Sequence, residues 1–266
     1  MQRIRRSGAR ATRRAPGLLA VLGLGAALAW PGGAAAEVAL VAVAANFAEV
    51  MERLEADFEA ESPHGITVTT GSTGKLYAQI VNGAPFDVLL AADQARPELL
   101  EQQGIAVRGT RFTYASGRLS LWSADPGAFA GDGAAWLRRG AFRRLAIANP
   151  DLAPYGLAAR QVLEALGVYE ALAGRLVLGE NVGQAHAMVA TGNAEAGLVA
   201  RAYVASPRNR EPGSRWDVPA DLHAPIRQDA VLLMRAEDNS AARDLLAFLR
   251  RDDVRRVIAG YGYGSD

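Results

Sequence analysis

The chain has 266 residues, half of them hydrophobic, with 29 basic and 28 acidic side chains and no cysteine. That is enough apolar material for one large core or two modest ones, which excludes a disordered chain. The lack of cysteine excludes disulfides, thiolate metal sites, a cysteine nucleophile and a lipid-anchored N-terminal cysteine.

The first 36 residues differ from the rest. Arg3, Arg5, Arg6, Arg10, Arg13 and Arg14 come without an acid, then apolar Leu18 to Trp30, then Ala34-Ala35-Ala36 before Glu37. This is the pattern of a cleavable secretory signal, with cleavage expected after Ala36. Its apolar run is too short to span a bilayer comfortably, and no later run approaches 18 residues. Thr12-Arg13-Arg14 leaves the twin-arginine and Sec routes both open. Removing the six arginines leaves 23 basic against 28 acidic residues, a net charge of about −5. Nucleic-acid-binding proteins show the opposite imbalance, so no nucleic-acid partner is expected.

From Val38 to Ala45 the chain reads as a continuous apolar strand, buried on both faces as in a parallel sheet. Phe47, Val50, Met51, Leu54 and Phe58 then form a helical stripe, which puts Asn46 at the N-cap with Glu49 three residues on. Alternating Ile66 to Thr70 is a second strand, followed by Gly71-Ser72-Thr73-Gly74-Lys75 and a helix through Val81. A strand, a small hydroxylated turn and a helix start together point unpaired N–H groups at an anion. Taken alone, the turn reads more readily as an ordinary strand-to-helix connection with a Ser or Thr cap. It is not a nucleotide-binding loop, because Thr69 falls where that motif needs its first glycine and Leu76 where it needs a hydroxyl. Lys75 is the only lysine, a compositional fact that carries no function by itself.

Val88 to Ala91 is a further strand, with Asp93 capping a helix from Pro97 to Gln103. Asp87 and Asp93 read as turn and cap residues rather than a catalytic pair. Phe112 to Ser116 and Leu119 to Ser123, joined at Gly117, suit a crossing between lobes, and Pro126 to Gly133 is a looser stretch. The second half repeats the logic of the first. Strand Leu145 to Ala148 leads through Asn149-Pro150 to a helix opening at Pro154-Tyr155-Gly156, and strand Leu176 to Leu178 leads to a helix opening at Asn181-Val182-Gly183. Gly197 to Ala200 is another strand, Pro207 to Pro219 a surface loop and Ala230 to Met234 a return strand. Asn239 caps a penultimate helix, and Val254, Val257 and Ile258 mark the last. Tyr261 and Tyr263 suit terminal packing better than ferric iron. His64, His186 and His223 lack metal-ligand spacing, and neither a G-x-S-x-G elbow nor an H-E-x-x-H helix occurs, so no enzyme is expected.

Val43 to Phe47, Gly71 to Gly74, Gly83 to Val88, Ala92-Asp93, Pro154 to Gly156 and Asn181 to His186 follow one another in an order and spacing that resemble the periplasmic molybdate-binding proteins of ABC transporters. The resemblance covers Glu37 to Asp266. It implies an α/β, two-lobed type II periplasmic binding protein fold, each lobe a mixed sheet flanked by helices, with the ligand in the interlobe cleft. Lobe one would comprise 37–116 plus 226–266 and lobe two 117–225. The implied ligand is molybdate or tungstate, with no cofactor and no direct metal ligand. The implied partner is an ABC permease, and the implied state a monomer in the periplasm. The oxyanion site would fall on Ala45, Asn46, Ser72, Thr73, Tyr155 and Val182. Asn46 would donate through its side-chain amide and N–H, Thr73 through hydroxyl and N–H, and Tyr155 and Val182 through backbone N–H. Some relatives carry a tyrosine hydroxyl where this chain has Ala200, a loss that asparagine at the first turn would offset. A donor-only lining avoids a buried salt bridge and rejects protonated anions such as phosphate, whose O–H would face another donor. Two rivals remain: a binding protein for another oxyanion such as sulfate, and an exported ester hydrolase.

Overall fold

The computed structural model describes residues 36–129, 131–206, 208–209 and 213–264. All of the expected signal segment except Ala36 lies outside them. Among the described residues, no helix is long and apolar enough to cross a membrane.

The first strand, β1 (Val38–Ala44), is buried over most of its length, as its unbroken apolar run requires. A 3₁₀ turn, Ala45–Phe47, leads into α1 (Ala48–Glu61). There follow β2 (Gly65–Gly71), α2 (Thr73–Val81), β3 (Val88–Leu90), α3 (Ala95–Gln102), β4 (Phe112–Gly117) and β5 (Leu119–Ser123). Next come α4 (Gly133–Arg139), β6 (Leu145–Ala148), α5 (Pro154–Ala165), α6 (Tyr169–Leu172), β7 (Leu176–Gly179) and α7 (Val182–Ala190). The chain closes with β8 (Ala196–Ala200), α8 (Arg201–Ala205), β9 (Ser214–Asp217), β10 (Ile226–Leu232), α9 (Ser240–Leu249) and α10 (Asp252–Gly260).

These strands form two five-stranded mixed sheets, ordered β2-β1-β3-β10-β4 and β7-β6-β8-β5-β9. In the first, β1 runs parallel to β2 and β3 while β10 runs antiparallel to β3 and β4. The second repeats the plan, with β6 parallel to β7 and β8 and β5 antiparallel to β8 and β9. Each sheet carries helices on its faces and defines one lobe. Only Arg118 separates β4 in one sheet from β5 in the other, so the chain crosses there and returns ahead of β10. In each lobe the parallel strands end toward helix starts, the edge at which open α/β sheets bind ligands.

Five elements depart from expectation, the first being α6, a four-residue helix between α5 and β7 that the sequence reading left out. The segment expected as surface loop contains β9, a short edge strand whose Arg215 and Asp217 give it the polar character such edges carry. Helix α8 follows β8 with no intervening breaker. Helix α4 starts at Gly133, where the stretch read as loose ends, in a segment given no element from the sequence; it is capped by the Asp132 side chain and ended by Gly140 in the left-handed conformation. Strand β10 begins at Ile226, four residues earlier than its apolar run suggested, because Gln228 and Asp229 are buried with partners. Asp229 pairs with Arg111 at 2.8 Å and accepts from the Thr113 hydroxyl at 2.7 Å.

Candidate functional site

Four turns, two from each lobe, line a single small cavity. They supply Ala45 and Asn46 after β1, Ser72 and Thr73 after β2, Ala153 to Tyr155 at the start of α5, and Asn181 and Val182 at the start of α7. The cavity encloses about 10 Å³, room for about one water-sized sphere, so a larger guest must part its walls. No charged residue is among its lining. Wider openings of about 570 and 680 Å³ lie elsewhere on the second lobe, beside Trp136 and Phe142 and beside Arg143 and Arg175. Neither is lined by converging helix starts.

The six residues singled out from the sequence, Ala45, Asn46, Ser72, Thr73, Tyr155 and Val182, all border this cavity and are all buried or nearly so. Thr73 opens α2, Tyr155 follows Pro154 in the first turn of α5, and Val182 opens α7. N–H groups at such positions precede the first i→i−4 acceptor of their helices and need another partner. Pro154 has no N–H, which leaves Tyr155 to provide one at that turn. The two hydroxyls are oriented by backbone donors. Thr73 Oγ1 accepts from the Ala92 N–H at 2.9 Å, and Ser72 Oγ accepts from the Lys75 N–H at 3.4 Å. Each oxygen thus serves a protein donor while its own proton stays available to donate.

Asn46 differs from its sequence reading. It lies within the 3₁₀ turn, α1 has no side-chain cap, and the expected capping box is absent. Glu49, its expected reciprocal partner, instead accepts from the Ser206 hydroxyl. The Asn46 amide donates to Gln228 Oε1 at 2.8 Å and to Tyr263 Oη at 3.1 Å, and Tyr263 Oη donates back to the Asn46 carbonyl at 2.7 Å. Both amide protons therefore face protein, and only the backbone N–H of Asn46 remains for a guest. The physical reason is the inserted 3₁₀ turn, which swings the side chain behind the cavity wall. Tyr263 accordingly serves terminal packing and polar bridging. Among the described residues no cluster of three or more His, Cys, Asp or Glu could hold a metal ion.

Gln228, which was not singled out from the sequence, joins the two lobes behind the cavity. It accepts from Asn46 and from Tyr114 Oη at 3.0 Å and donates to Tyr155 Oη at 3.2 Å. A polar Gln-Asp pair directly ahead of the apolar run Ala230 to Leu232 was the available signal. Burial pushes the phenols of Tyr114, Tyr155 and Tyr263 above their ordinary pKa, so all three stay neutral.

Further contacts hold the lobes together around the cavity. The Gly74 N–H donates to the Leu152 carbonyl at 2.9 Å. Tyr203 Oη donates to the Ala45 carbonyl at 2.6 Å. Lys75 Nζ meets Glu180 at 3.0 Å, and Arg208 pairs with Glu52 at 2.6 Å.

Two mixed-sheet lobes with a crossing between them, and helix starts from both facing one cleft, define a two-lobed type II binding protein. The chain belongs to the bacterial extracellular solute-binding protein family, whose model matches residues 39–264. It is 50% identical over 244 residues to the molybdate-binding protein ModA of Azotobacter vinelandii, covering 92% of this chain and 96% of that one. Its identity to ModA of Rhodobacter capsulatus is 44% over 233 residues, covering 88% and 90%. Among solved structures, the periplasmic molybdate-binding protein of Azotobacter vinelandii superposes with a TM-score of 0.82 at 40% identity, covering 86% of this chain and 99% of that one. The family is one of solute-binding proteins, not enzymes.

Proposed function

We propose that this protein captures molybdate, and with it tungstate, outside the cytoplasmic membrane and delivers it to an ABC permease. The observation that carries this reading is the convergence of four uncharged turns on one cavity. First-turn dipoles and neutral donors suit a dianion, and an arginine in the lining would not be needed to hold it. Charge-assisted hydrogen bonds contribute about 1.5–3 kcal/mol each, so a handful suffices for tight binding. In this reading Asn46, Tyr155 and Val182 donate backbone N–H groups, Ser72 and Thr73 add hydroxyls, and Ala45 forms the apolar side of the first turn. Lobe one takes residues 37–116 and 226–266, and lobe two 117–225. The chain is made with a signal cleaved after Ala36 and works as a monomer in the periplasm. The names of the relatives support the ligand, and 50% identity over nearly the whole chain supports carrying it across.

The test is a calorimetric titration of the purified protein with molybdate, tungstate, sulfate and phosphate. Heat with the first two, unaffected by a large excess of phosphate, is the expected result. Heat with sulfate and none with molybdate would overturn the reading.

A further inference from the structure

Tyr203 lies on α8 in the second-sheet lobe and reaches across the cleft to the carbonyl of Ala45 at 2.6 Å. The Ala45 carbonyl and the Asn46 N–H belong to one planar trans peptide unit and point in opposite directions. Anchoring the carbonyl therefore aims the N–H. Within its own turn the carbonyl already accepts from the Ala48 N–H, so the turn can form without Tyr203. What Tyr203 adds is a tether that exists only while the lobes are together.

The rest of the structure holds that hydroxyl in place. The Tyr203 ring stacks on His186 with centroids 5.0 Å apart, and His186 stacks on Trp122 at 4.7 Å. Trp122 is buried on β5 and His186 is carried by α7, so the stack ties α8 to the frame of its lobe. At Gly183 a Cβ would come within 2.9 Å of Tyr203 Oη. The helix start that presents Val182 thus leaves the space the hydroxyl occupies. Burial raises the Tyr203 phenol above its ordinary pKa, which keeps it a donor.

We propose that Tyr203 is a positioning residue for the oxyanion: by donating to the Ala45 carbonyl from the opposite lobe, it aims the Asn46 N–H into the cavity and couples anion capture to lobe closure. This role presupposes that the cavity takes an oxyanion. It also answers the loss of a hydroxyl at Ala200. A tyrosine three residues later acts through the first turn rather than on the anion itself.

The test is Tyr203→Phe, which keeps the ring and its stack and removes only the hydroxyl. Loss of one hydrogen bond predicts molybdate binding weaker by about tenfold, carried by faster dissociation in stopped-flow tryptophan fluorescence. The melting temperature without anion should stay at the wild-type value, because the Ala45 carbonyl keeps Ala48. Gly183→Ala, which retains the hydroxyl and crowds it, should weaken binding in the same way. Wild-type affinity in Tyr203→Phe would overturn the positioning role, as would a fall in anion-free melting temperature matching the loss of affinity. A wild-type protein silent to every oxyanion would overturn the anion reading as well, which separates the two failures.

Discussion

Gly74→Ala should weaken ligand binding while leaving the unliganded protein as stable as before or more so. Gly74 sits in the first turn of α2, and its N–H donates to Leu152 of the other lobe at 2.9 Å. A Cβ built there would lie 2.8 Å from the Leu152 carbonyl oxygen and 3.2 Å from its Cα. Ordinary carbon-to-oxygen contacts fall at about 3.3–3.6 Å, so the lobes would have to part by about half an ångström. The third neighbour, Arg96 Nη2 at 3.1 Å, ends a flexible side chain and can move. Parting the lobes stretches the Gly74–Leu152 bond, about 1 kcal/mol, and lengthens every anion contact that depends on both walls. A total of about 1.5–3 kcal/mol corresponds to roughly 10–100-fold weaker binding. Alanine is the better helix former by up to about 1 kcal/mol in a helix interior, an upper bound for a first-turn position. That term acts on the open form too, so it opposes any loss of stability. Calorimetric titration with molybdate and anion-free thermal melts read the two effects separately. Unchanged affinity would refute the claim that closure brings the backbones together at Gly74, and a joint fall of affinity and anion-free stability would assign the effect to misfolding.

Substitutions at three further positions probe the wall, the bridge behind it and the aromatic stack. Thr73→Ala removes a hydroxyl from the cavity and strands the buried Ala92 N–H, so it should cost about 1–3 kcal/mol of stability and at least about tenfold in affinity. Thr73→Ser, which keeps the oxygen, should restore both in melts and titrations. Tyr155→Phe should lower stability by about 1–3 kcal/mol, because Gln228 Nε2 loses its acceptor, yet change molybdate affinity less than about threefold, since the Tyr155 N–H survives. His186 is half-buried and its pKa is depressed below 6.5 by desolvation. Above 6.5 the folded and unfolded forms are both neutral; as pH falls the unfolded chain protonates first, so stability declines until the folded pKa is passed. His186→Phe, which keeps a ring in the stack, should flatten the melting temperature between pH 7 and the acid limb relative to wild type.

The four helix starts were legible because their signals are local: an apolar run, a small or polar residue, then a helical stripe. The helix starts at Ser72-Thr73, Tyr155-Gly156 and Val182-Gly183 follow from that pattern, the family resemblance picked out Ser72, Thr73, Tyr155 and Val182 within them, and these four residues come together on one cavity. The Asn46 side chain was not legible, since one 3₁₀ turn between β1 and α1 rotates it away from the N-cap geometry that the Glu49 spacing suggested. Tyr203, Gln228 and Tyr114 were missed for a different reason, although Gln228 does stand in a polar pair beside an apolar run. Their partners lie far away in the chain, Ala45 for Tyr203 and Asn46 for Gln228, and nothing in their own neighbourhoods names those partners. The elements missed in the fold, α4, α6, α8 and β9, are short pieces of seven, four, five and four residues. In such lengths periodicity carries little information, and tertiary packing or sheet pairing decides.

Gln228 offers a way to give the site a pH dependence that its lining lacks. No titratable acid or base borders the cavity apart from the neutral Tyr155, so wild-type affinity should be flat through the neutral range. Gln228 is fully buried and bonded to two residues of the cavity wall, Asn46 and Tyr155. Gln228→Glu keeps its shape. The carboxyl can accept from Asn46 and Tyr114 as the amide oxygen does, and its second oxygen can accept from Tyr155, whose phenol turns to donate. The packing therefore survives, but the ionised form puts a negative charge behind a cavity meant for a dianion. Two like charges about 10 Å apart at an effective dielectric of about 20 repel by about 1.7 kcal/mol, and a dianion doubles that. Burial in turn raises the carboxyl pKa, so protonation occurs within a mildly acidic window rather than near 4. Molybdate affinity of Gln228→Glu should thus fall by more than about tenfold from mildly acidic to mildly alkaline pH, while wild type stays level. Titrations across that range decide it: a variant as flat as wild type would mean that Gln228 stands too far from the guest, or that no anion enters, and the bridge behind the wall would then be only scaffolding.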